Sequence, residues 1–150
     1  MELASAVASV SESYRAEPQS IPQARMSLTR FAAEAGASEE QQQQVRLVVS
    51  EAVTNAVQHA YDACPGEIHV TGVVVSGELW ILVADDGRGL RAGGDSSGLG
   101  LGLVWMAQFS DGMTLLARSS GGLEVRLRFD LRGAGAPGAY DSASRVARVG

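Results

Sequence analysis

The chain has 150 residues, of which 45% are hydrophobic and 19% charged, and this balance predicts one globular domain with a sizeable core. The net charge of −5 and the lack of a basic cluster with interleaved aromatic residues exclude a general attraction to nucleic acid or to an anionic membrane. Cys64 is the single cysteine, so no internal disulfide can form, and without a membrane-length apolar run or a basic leader region we expect a cytoplasmic protein.

The first third of the chain predicts a short strand followed by a helix. Residues 1–9 are small and apolar without a clear period, and we expect them to be loosely ordered. Residues 9–17 alternate between apolar and polar side chains, which predicts an edge strand. A helix is then predicted with Ser20 as its N-cap, Pro22 in its first turn and Gly36 at its end.

A second helix is predicted from Ser38 to about Tyr61. Ser38 and Gln41 have the spacing of a capping box, in which each side chain bonds the backbone of the other residue. Apolar side chains then recur at intervals of three and one, which predicts one buried stripe. The stripe consists of Val45, Val48, Val49, Ala52, Val53, Ala56, Val57 and Ala60.

Two antiparallel hairpins are predicted in the second half of the chain. Residues 67–75 and 78–85 are rich in β-branched and large apolar side chains, and the dipeptide Ser76-Gly77 joins them. A later hairpin turns through residues 119–122. Because the helices come before and between antiparallel strands, we expect an α+β fold with the helices on one face of a mostly antiparallel sheet.

The segments between and after the hairpins differ in character. Residues 85–102 form a long glycine-rich loop, and residues 103–110 predict a short helix. From residue 133 onward the chain has little apolar mass and many Gly and Ala residues. We therefore expect a domain over 1–132 and a flexible tail over 133–150.

Glu51, Asn55 and His59 form a row with a spacing of four on the second predicted helix. Such a row is commonly a solvated flank of a helix. An adjacent Glu and Asn also suit chemistry, because a Glu can accept a proton and an Asn oxygen can bind a hard cation such as Mg²⁺. His59 lies nearer the edge of the apolar stripe, where a packed or capping role is the simpler interpretation.

Two glycine motifs follow this helix. In the first, Asp85 ends a predicted strand and Gly87 and Gly89 follow, which fits either a tight turn or a fixed acceptor beside a ligand. In the second, alternating glycines run directly into a predicted helix, which fits either a flexible loop or a phosphate site. These glycines are Gly98, Gly100 and Gly102. No Lys-Ser or Lys-Thr follows, so the second motif is not a Walker loop.

The order and spacing of these motifs resemble the ATP-binding superfamily of gyrase, the heat-shock chaperones, histidine kinases and mismatch-repair ATPases, called GHKL. "SEAVTNAVQHAY" (50–61) resembles its N-box, "DDGRG" (85–89) its G1 box and "GLGLGLVWMAQFSD" (98–111) its G2 box. The resemblance covers roughly residues 10–131 and is strongest to the serine-kinase branch of bacterial anti-sigma factors. It implies the Bergerat fold, a two-layer α/β sandwich in which about three helices cover one face of the sheet.

The resemblance also implies roles for the residues of the first two boxes, with ATP and Mg²⁺ as cofactors. Glu51 would act as the general base, and Asn55 would bind Mg²⁺ and so contact the nucleotide. Asp85 would receive the adenine amino group, while Gly87 and Gly89 would let the base approach.

The third box and the preceding helix carry further implied roles. The backbone of the G2 box would hold the phosphates through Gly98, Gly100, Leu101 and Gly102. Arg25, with Arg30 nearby, falls where this branch carries an arginine that meets its partners, although both could equally be solvated helix charges.

The branch implies an anti-sigma factor and protein serine/threonine kinase that phosphorylates a small anti-anti-sigma (STAS-type) protein and sequesters a sigma factor, usually as a homodimer. One departure concerns the lid "LRAGGDSS" (90–97), which is short and has Arg91 as its only basic residue. A lid that closes weakly would leave the phosphates open to water. Two alternatives therefore stay open: a regulatory module that binds partners under the control of ATP without catalysis, and a domain cut from a larger signalling protein.

Overall fold

A computed structural model describes residues 8–60, 66–87, 99–119 and 121–132. The strands within these ranges are β1 (Ser9–Arg15), β2 (Glu67–Val75), β3 (Glu78–Asp85), β4 (Gly112–Ala117) and β5 (Leu123–Asp130). The helices within them are α1 (Ser20–Glu34), α2 (Glu39–Asn55) and α3 (Leu99–Phe109), and a π-helical turn (Ala56–Ala60) continues α2. The strands form one antiparallel sheet in the order β1-β2-β3-β5-β4. The α+β prediction is therefore confirmed.

Helix α1 forms where the sequence predicts it but begins differently. Gln19 occupies the N-cap position without a side-chain cap, and Ser20 is the first helical residue. The Ser20 hydroxyl donates instead to the carbonyl oxygen of Arg15 at 2.6 Å, which ties the helix to the end of β1. The predicted N-cap role of Ser20 is therefore wrong. Gly36 has φ +100°, a conformation that glycine adopts without strain, and follows the end of the helix as predicted.

Helix α2 confirms the predicted capping box. The Ser38 Oγ accepts from the Gln41 N–H at 3.1 Å, and the Gln41 Oε1 accepts from the Ser38 N–H at 3.1 Å. The helix continues to Ala60, as predicted, but regular α-helix ends at Asn55 and the five residues Ala56–Ala60 are π-helical. Tyr61 itself lies outside the described residues.

The sheet places its apolar side chains toward the helices. In β2, β3 and β5 buried residues alternate with less buried ones, as expected for a sheet with one covered face. The β2–β3 hairpin turns at Ser76 and Gly77 with φ of 52° and 78°, the positive values that a two-residue hairpin turn requires. Helices α1 and α2 pack together on the sheet, and α3 packs against α2. The resulting core includes Leu28, Val45, Val48, Val49, Val53, Ile68, Val70, Leu79, Ile81, Met106, Leu127 and Phe129.

The other predicted elements have mixed outcomes. The predicted edge strand is confirmed as β1, and the second hairpin is confirmed as β4 and β5. Helix α3 begins at Leu99, four residues before its predicted start. Most of the loosely ordered start and all of the tail over 133–150 lie outside the described ranges, so those predictions remain predictions. Within the described ranges no helix has both the length and the apolar character to cross a membrane.

Candidate functional site

Glu51 and Asn55 meet Gly102 where α2 packs against α3. A Cβ atom placed on Gly102 would lie 2.9 Å from the Asn55 Nδ2 and 3.3 Å from the Glu51 Oε2. A contact of 2.9 Å leaves no room for a side chain, so a residue other than glycine would displace the amide of Asn55. The structure therefore brings together the two predicted N-box residues and one predicted glycine of the G2 box.

The Asn55 side chain carries a buried amide at this contact. Its Nδ2 is buried and has no hydrogen-bond partner among the described residues. A buried amide that lacks a partner costs free energy, and such groups in folded proteins often mark a site that a ligand completes. The amide oxygen, 3.4 Å from the Cβ position of Gly102, is the kind of neutral oxygen that Mg²⁺ accepts.

Asp85 is a buried carboxylate at the end of β3, with only 7% of the residue exposed. Burial raises its pKa from the ordinary value of 3.8, while backbone hydrogen bonds from Gly87 and Leu123 and the charge of Arg118 act in the opposite direction. The Gly87 N–H donates to the Asp85 Oδ1 at 2.9 Å. Strand β3 also contacts the π-helical turn that follows Asn55. The carboxylate is thus held by backbone hydrogen bonds at the end of a strand that contacts this turn.

The remaining predicted glycines divide between described and undescribed parts of the chain. Gly89 and Gly98 lie outside the described residues. Gly100 and Leu101 lie in the first turn of α3, where backbone N–H groups have no partner within the helix itself. His59 lies in the π-helical turn rather than in regular helix.

The sequence predicted the turn between β4 and β5 but not its packing on the end of β3. A Cβ atom on Gly122 would overlap the Asp85 carbonyl oxygen, so this turn packs directly on the backbone at the end of β3. The backbone of the next residue, Leu123, hydrogen-bonds Asp85. Residues 119–122 predict a hairpin, but a turn sequence carries no signal for which distant strand end it will touch.

Arg25 lies on α1 beside the candidate site. It is half-buried, and its Nη1 donates to the Ser50 Oγ at 3.5 Å, one residue before Glu51. Arg30 and Met26 are exposed, with 62% of Met26 accessible. Arg25 thus joins α1 to the residue before Glu51, and the docking role of Arg25 stays a prediction.

Comparison with known proteins identifies the family of the chain. The family model described as "Histidine kinase-like ATPase domain" matches residues 14–129. The chain belongs to this family. Membership makes ATP the nucleotide that this ATPase-like domain uses, and it confirms the GHKL resemblance.

Relatives of the ATPase-like domain include two kinds of bacterial regulator. The serine-protein kinase RsbW of Bacillus licheniformis is 35% identical over 113 residues, which cover 75% of this chain and 66% of that protein. The anti-sigma F factor of Clostridium acetobutylicum is 28% identical over 116 residues, which cover 70% of this chain and 81% of that protein. This chain thus spans just under two thirds of the first relative.

A solved structure has the same fold as this ATPase-like domain. It contains the RsbU and RsbW domains of a Mycobacterium tuberculosis protein and superposes with a TM-score of 0.64 at 22% identity. The match covers 81% of this chain and 32% of that one. The likeness confirms the two-layer architecture of antiparallel sheet and helices.

Proposed function

We propose that the chain is an ATP-binding anti-sigma factor and protein-serine kinase that phosphorylates an anti-anti-sigma (STAS-type) protein and sequesters a sigma factor. The observation that carries the proposal is the meeting of Glu51 and Asn55 with Gly102, where no side chain fits. Relatives named serine-protein kinase and anti-sigma F factor support it.

The nucleotide would lie between the end of β3 and the start of α3. Asp85 accepts a hydrogen bond from the adenine amino group, and the glycines at 87 and 89 leave space for the base. The phosphates lie at the start of α3, where backbone N–H groups and the positive end of the helix dipole favour anions. Gly98, Gly100, Leu101 and Gly102 supply this backbone.

The Asn55 side chain suits the magnesium ion that accompanies ATP. No group of three or more His, Cys, Asp or Glu residues that could hold a metal occurs in the described ranges. A single amide oxygen is nevertheless sufficient, because Mg²⁺ usually combines one or two protein oxygens with phosphate oxygens and waters. When bound, the ion neutralises charge on the transferring phosphoryl group.

Glu51 is placed to act on the attacking hydroxyl. It lies one helical turn before Asn55 on α2, and its carboxylate faces the same glycine. In the proposed step Glu51 accepts the proton of the partner's serine. The serine oxygen forms a bond to the γ-phosphorus as the bond to the β-phosphate oxygen breaks, which leaves phosphoserine and ADP.

Partner binding, dimer formation and location complete the proposal. Arg25 contacts the anti-anti-sigma partner, because the surface around it adjoins Glu51. A homodimer forms through the face of the sheet that the helices leave uncovered. The use of ATP and the proposed sigma-factor partner both support a cytoplasmic location.

The kinase role is tested by capture from a native lysate with Mg-ATP, followed by mass-spectrometric mapping of phosphoserine. Wild type is compared with Glu51→Gln and with Glu40→Gln, a control at an exposed position of the same helix. We expect a small partner to carry phosphoserine with wild type and with the control. Glu51→Gln should bind ATP and leave the partner unphosphorylated.

A different result favours the second candidate function. If partners bind equally to all three proteins and none gains phosphate, the chain is a non-catalytic module that binds proteins under the control of ATP, as its short lid "LRAGGDSS" suggests. The site itself is tested separately, since Asp85→Asn should weaken ATP binding and Asn55→Ala should weaken its dependence on Mg²⁺. Unchanged affinity in both variants would refute the site.

A further inference from the structure

Asp86, the residue after the adenine-reading Asp85, is held by side chains from two other parts of the sheet. Its Oδ1 lies 3.5 Å from the Arg118 Nη2, and its Oδ2 lies 3.4 Å from the His69 Nε2. His69 on β2 also shares a hydrogen bond of 2.9 Å with the Ser13 hydroxyl on β1. The carboxylate of Asp86 therefore links the end of β3 to β2, β1 and the β4–β5 turn.

The β4–β5 turn presses on the same segment through its backbone. Gly122 approaches the Asp85 carbonyl so closely that no Cβ fits, and the Leu123 backbone bonds the Asp85 side chain. The turn is closed by two hydrogen bonds of 2.9 Å, from the Arg118 N–H to the Gly122 carbonyl and from the Gly121 N–H to the Arg118 carbonyl. Arg118 thus contributes its backbone to the turn and its side chain to Asp86.

We propose that Arg118 is a positioning residue for adenine recognition, which fixes Asp85 by binding Asp86 and by closing the turn that packs on it. This inference rests on the proposed ATP site and deepens it. The acceptor must point at the adenine amino group, because hydrogen bonds weaken steeply as their geometry departs from linear. The ion pair at Asp86 and the backbone hydrogen bonds from Gly87 and Leu123 to Asp85 fix that direction.

The charge of Arg118 also favours the ionised form of Asp85, which is the form that accepts a hydrogen bond. Asp86 places a second carboxylate beside Asp85, and this neighbour raises the pKa of Asp85 while Arg118 lowers it. The Arg118 guanidinium therefore offsets the repulsion between the Asp86 carboxylate and the buried Asp85 carboxylate. Partly exposed ion pairs of this length contribute little to overall stability, so removing Arg118 should alter the site more than the fold.

The test measures adenine selectivity rather than affinity alone. Inosine triphosphate has a carbonyl in place of the adenine amino group, so the ratio of ATP to inosine triphosphate affinity reports the bond to Asp85. Isothermal titration calorimetry with Mg²⁺ compares wild type, Arg118→Ala, Arg118→Lys and Asp86→Asn. Arg126→Ala is the control, because Arg126 is an exposed arginine of β5 that pairs with Glu124.

We expect wild type and Arg126→Ala to prefer ATP, and Arg118→Ala to lose about tenfold of that preference. Arg118→Lys should restore most of it. Asp86→Asn should lose part of the preference for ATP. The double variant that combines Arg118→Ala with Asp86→Asn should lose little more than Arg118→Ala alone, because the two side chains act together. An unchanged ratio in Arg118→Ala, or an equal loss of both nucleotides with a lowered melting temperature, overturns the inference. If wild type binds neither nucleotide, the proposed function fails with it.

Discussion

Gly102 shows how one absent side chain defines the site. In most helices a change from glycine to alanine is stabilising by about 1 kcal/mol, because alanine loses less backbone entropy. Here the new methyl group would lie 2.9 Å from the Asn55 Nδ2 and would push the amide out of place. Stability and function should therefore respond in opposite directions at this position.

We predict that Gly102→Ala keeps or raises the melting temperature and lowers Mg-ATP affinity by about tenfold or more, about 1.4 kcal/mol. Differential scanning fluorimetry and calorimetric titration measure the two quantities. Val104→Ala, an exposed change on the same helix, serves as the control and should leave the affinity unchanged. Full affinity in Gly102→Ala would show that Asn55 does not bind the ion.

The buried carboxylate of Asp85 makes stability depend on pH. Its pKa is raised in the folded protein above the ordinary 3.8, chiefly by burial. A raised folded-state pKa means that the contribution of Asp85 to stability is fully present below pH 3.8. This contribution is lost as pH rises through the folded-state pKa.

We therefore predict that the unfolding free energy of wild type, relative to Asp85→Asn, falls as pH rises from about 4 toward neutral. Urea titrations of both proteins at several pH values give this difference, and titrations of other groups cancel between them. A difference that is constant over this range would mean that burial does not raise the pKa of Asp85.

At this scale the sequence could predict some site residues and not others. Glu51, Asn55 and Asp85 stand in motifs whose spacing is visible along the chain. Arg118 and Leu123 act on Asp85 across more than 30 positions of sequence, one as a charge and one as a backbone donor. Neither role requires a recognisable motif, because any residue other than proline offers a backbone N–H.

At the scale of elements, the sequence predicted the cap of α2 and the β2–β3 turn. It did not predict the change from α-helix to π-helix at the end of α2. The capping box of α2 and the Ser76-Gly77 turn involve neighbours in sequence, so the residue types alone indicate them. The π-helical turn was missed because the apolar spacing continues through Ala56, Val57 and Ala60. A π-helical turn often marks a functional position, and this one directly follows Asn55.

Gly72 determines how closely α1 lies on the sheet. A Cβ atom at this position of β2 would lie 2.9 Å from the Phe31 Cδ2 and 3.0 Å from the Leu28 Cδ1. We predict that Gly72→Ala is destabilising by roughly 1–3 kcal/mol, the usual cost of overpacking. Urea unfolding measures this, with Thr71→Ala on the opposite face of the strand as the control.

Urea unfolding of the double variant Gly72→Ala/Phe31→Ala tests whether the clash with Phe31 causes this loss of stability. Trimming the half-buried ring in Phe31→Ala opens space for the new methyl group, so the double variant should lose less stability than the sum of the two single changes. If the stability losses of the two single changes simply add, Gly72→Ala destabilises the strand itself rather than its contact with α1.

At the scale of the whole molecule, the helices of the described ranges pack against one face of the sheet and leave its other face open. The open face has a mixed character, because Trp80 pairs with Val73 on one side and with Arg128 on the other. Leu82 follows Trp80 on this face and is half-buried, and 44% of Val75 is exposed. An apolar patch of this kind, edged by charged side chains, is typical of a protein interface.

We predict that the protein is a dimer in solution and that Leu82→Arg makes it a monomer. The arginine would place a charge in the centre of the patch beside Arg126, its cross-strand neighbour, and two copies would then repel each other. Sedimentation equilibrium gives the mass, and Val104→Arg, a change at an exposed apolar residue of α3, should leave the dimer intact. A monomeric wild type would refute the dimer. If Leu82→Arg is still a dimer, the dimer interface lies on another surface. If Leu82→Arg is a monomer that still binds ATP, dimer formation is not required for nucleotide binding.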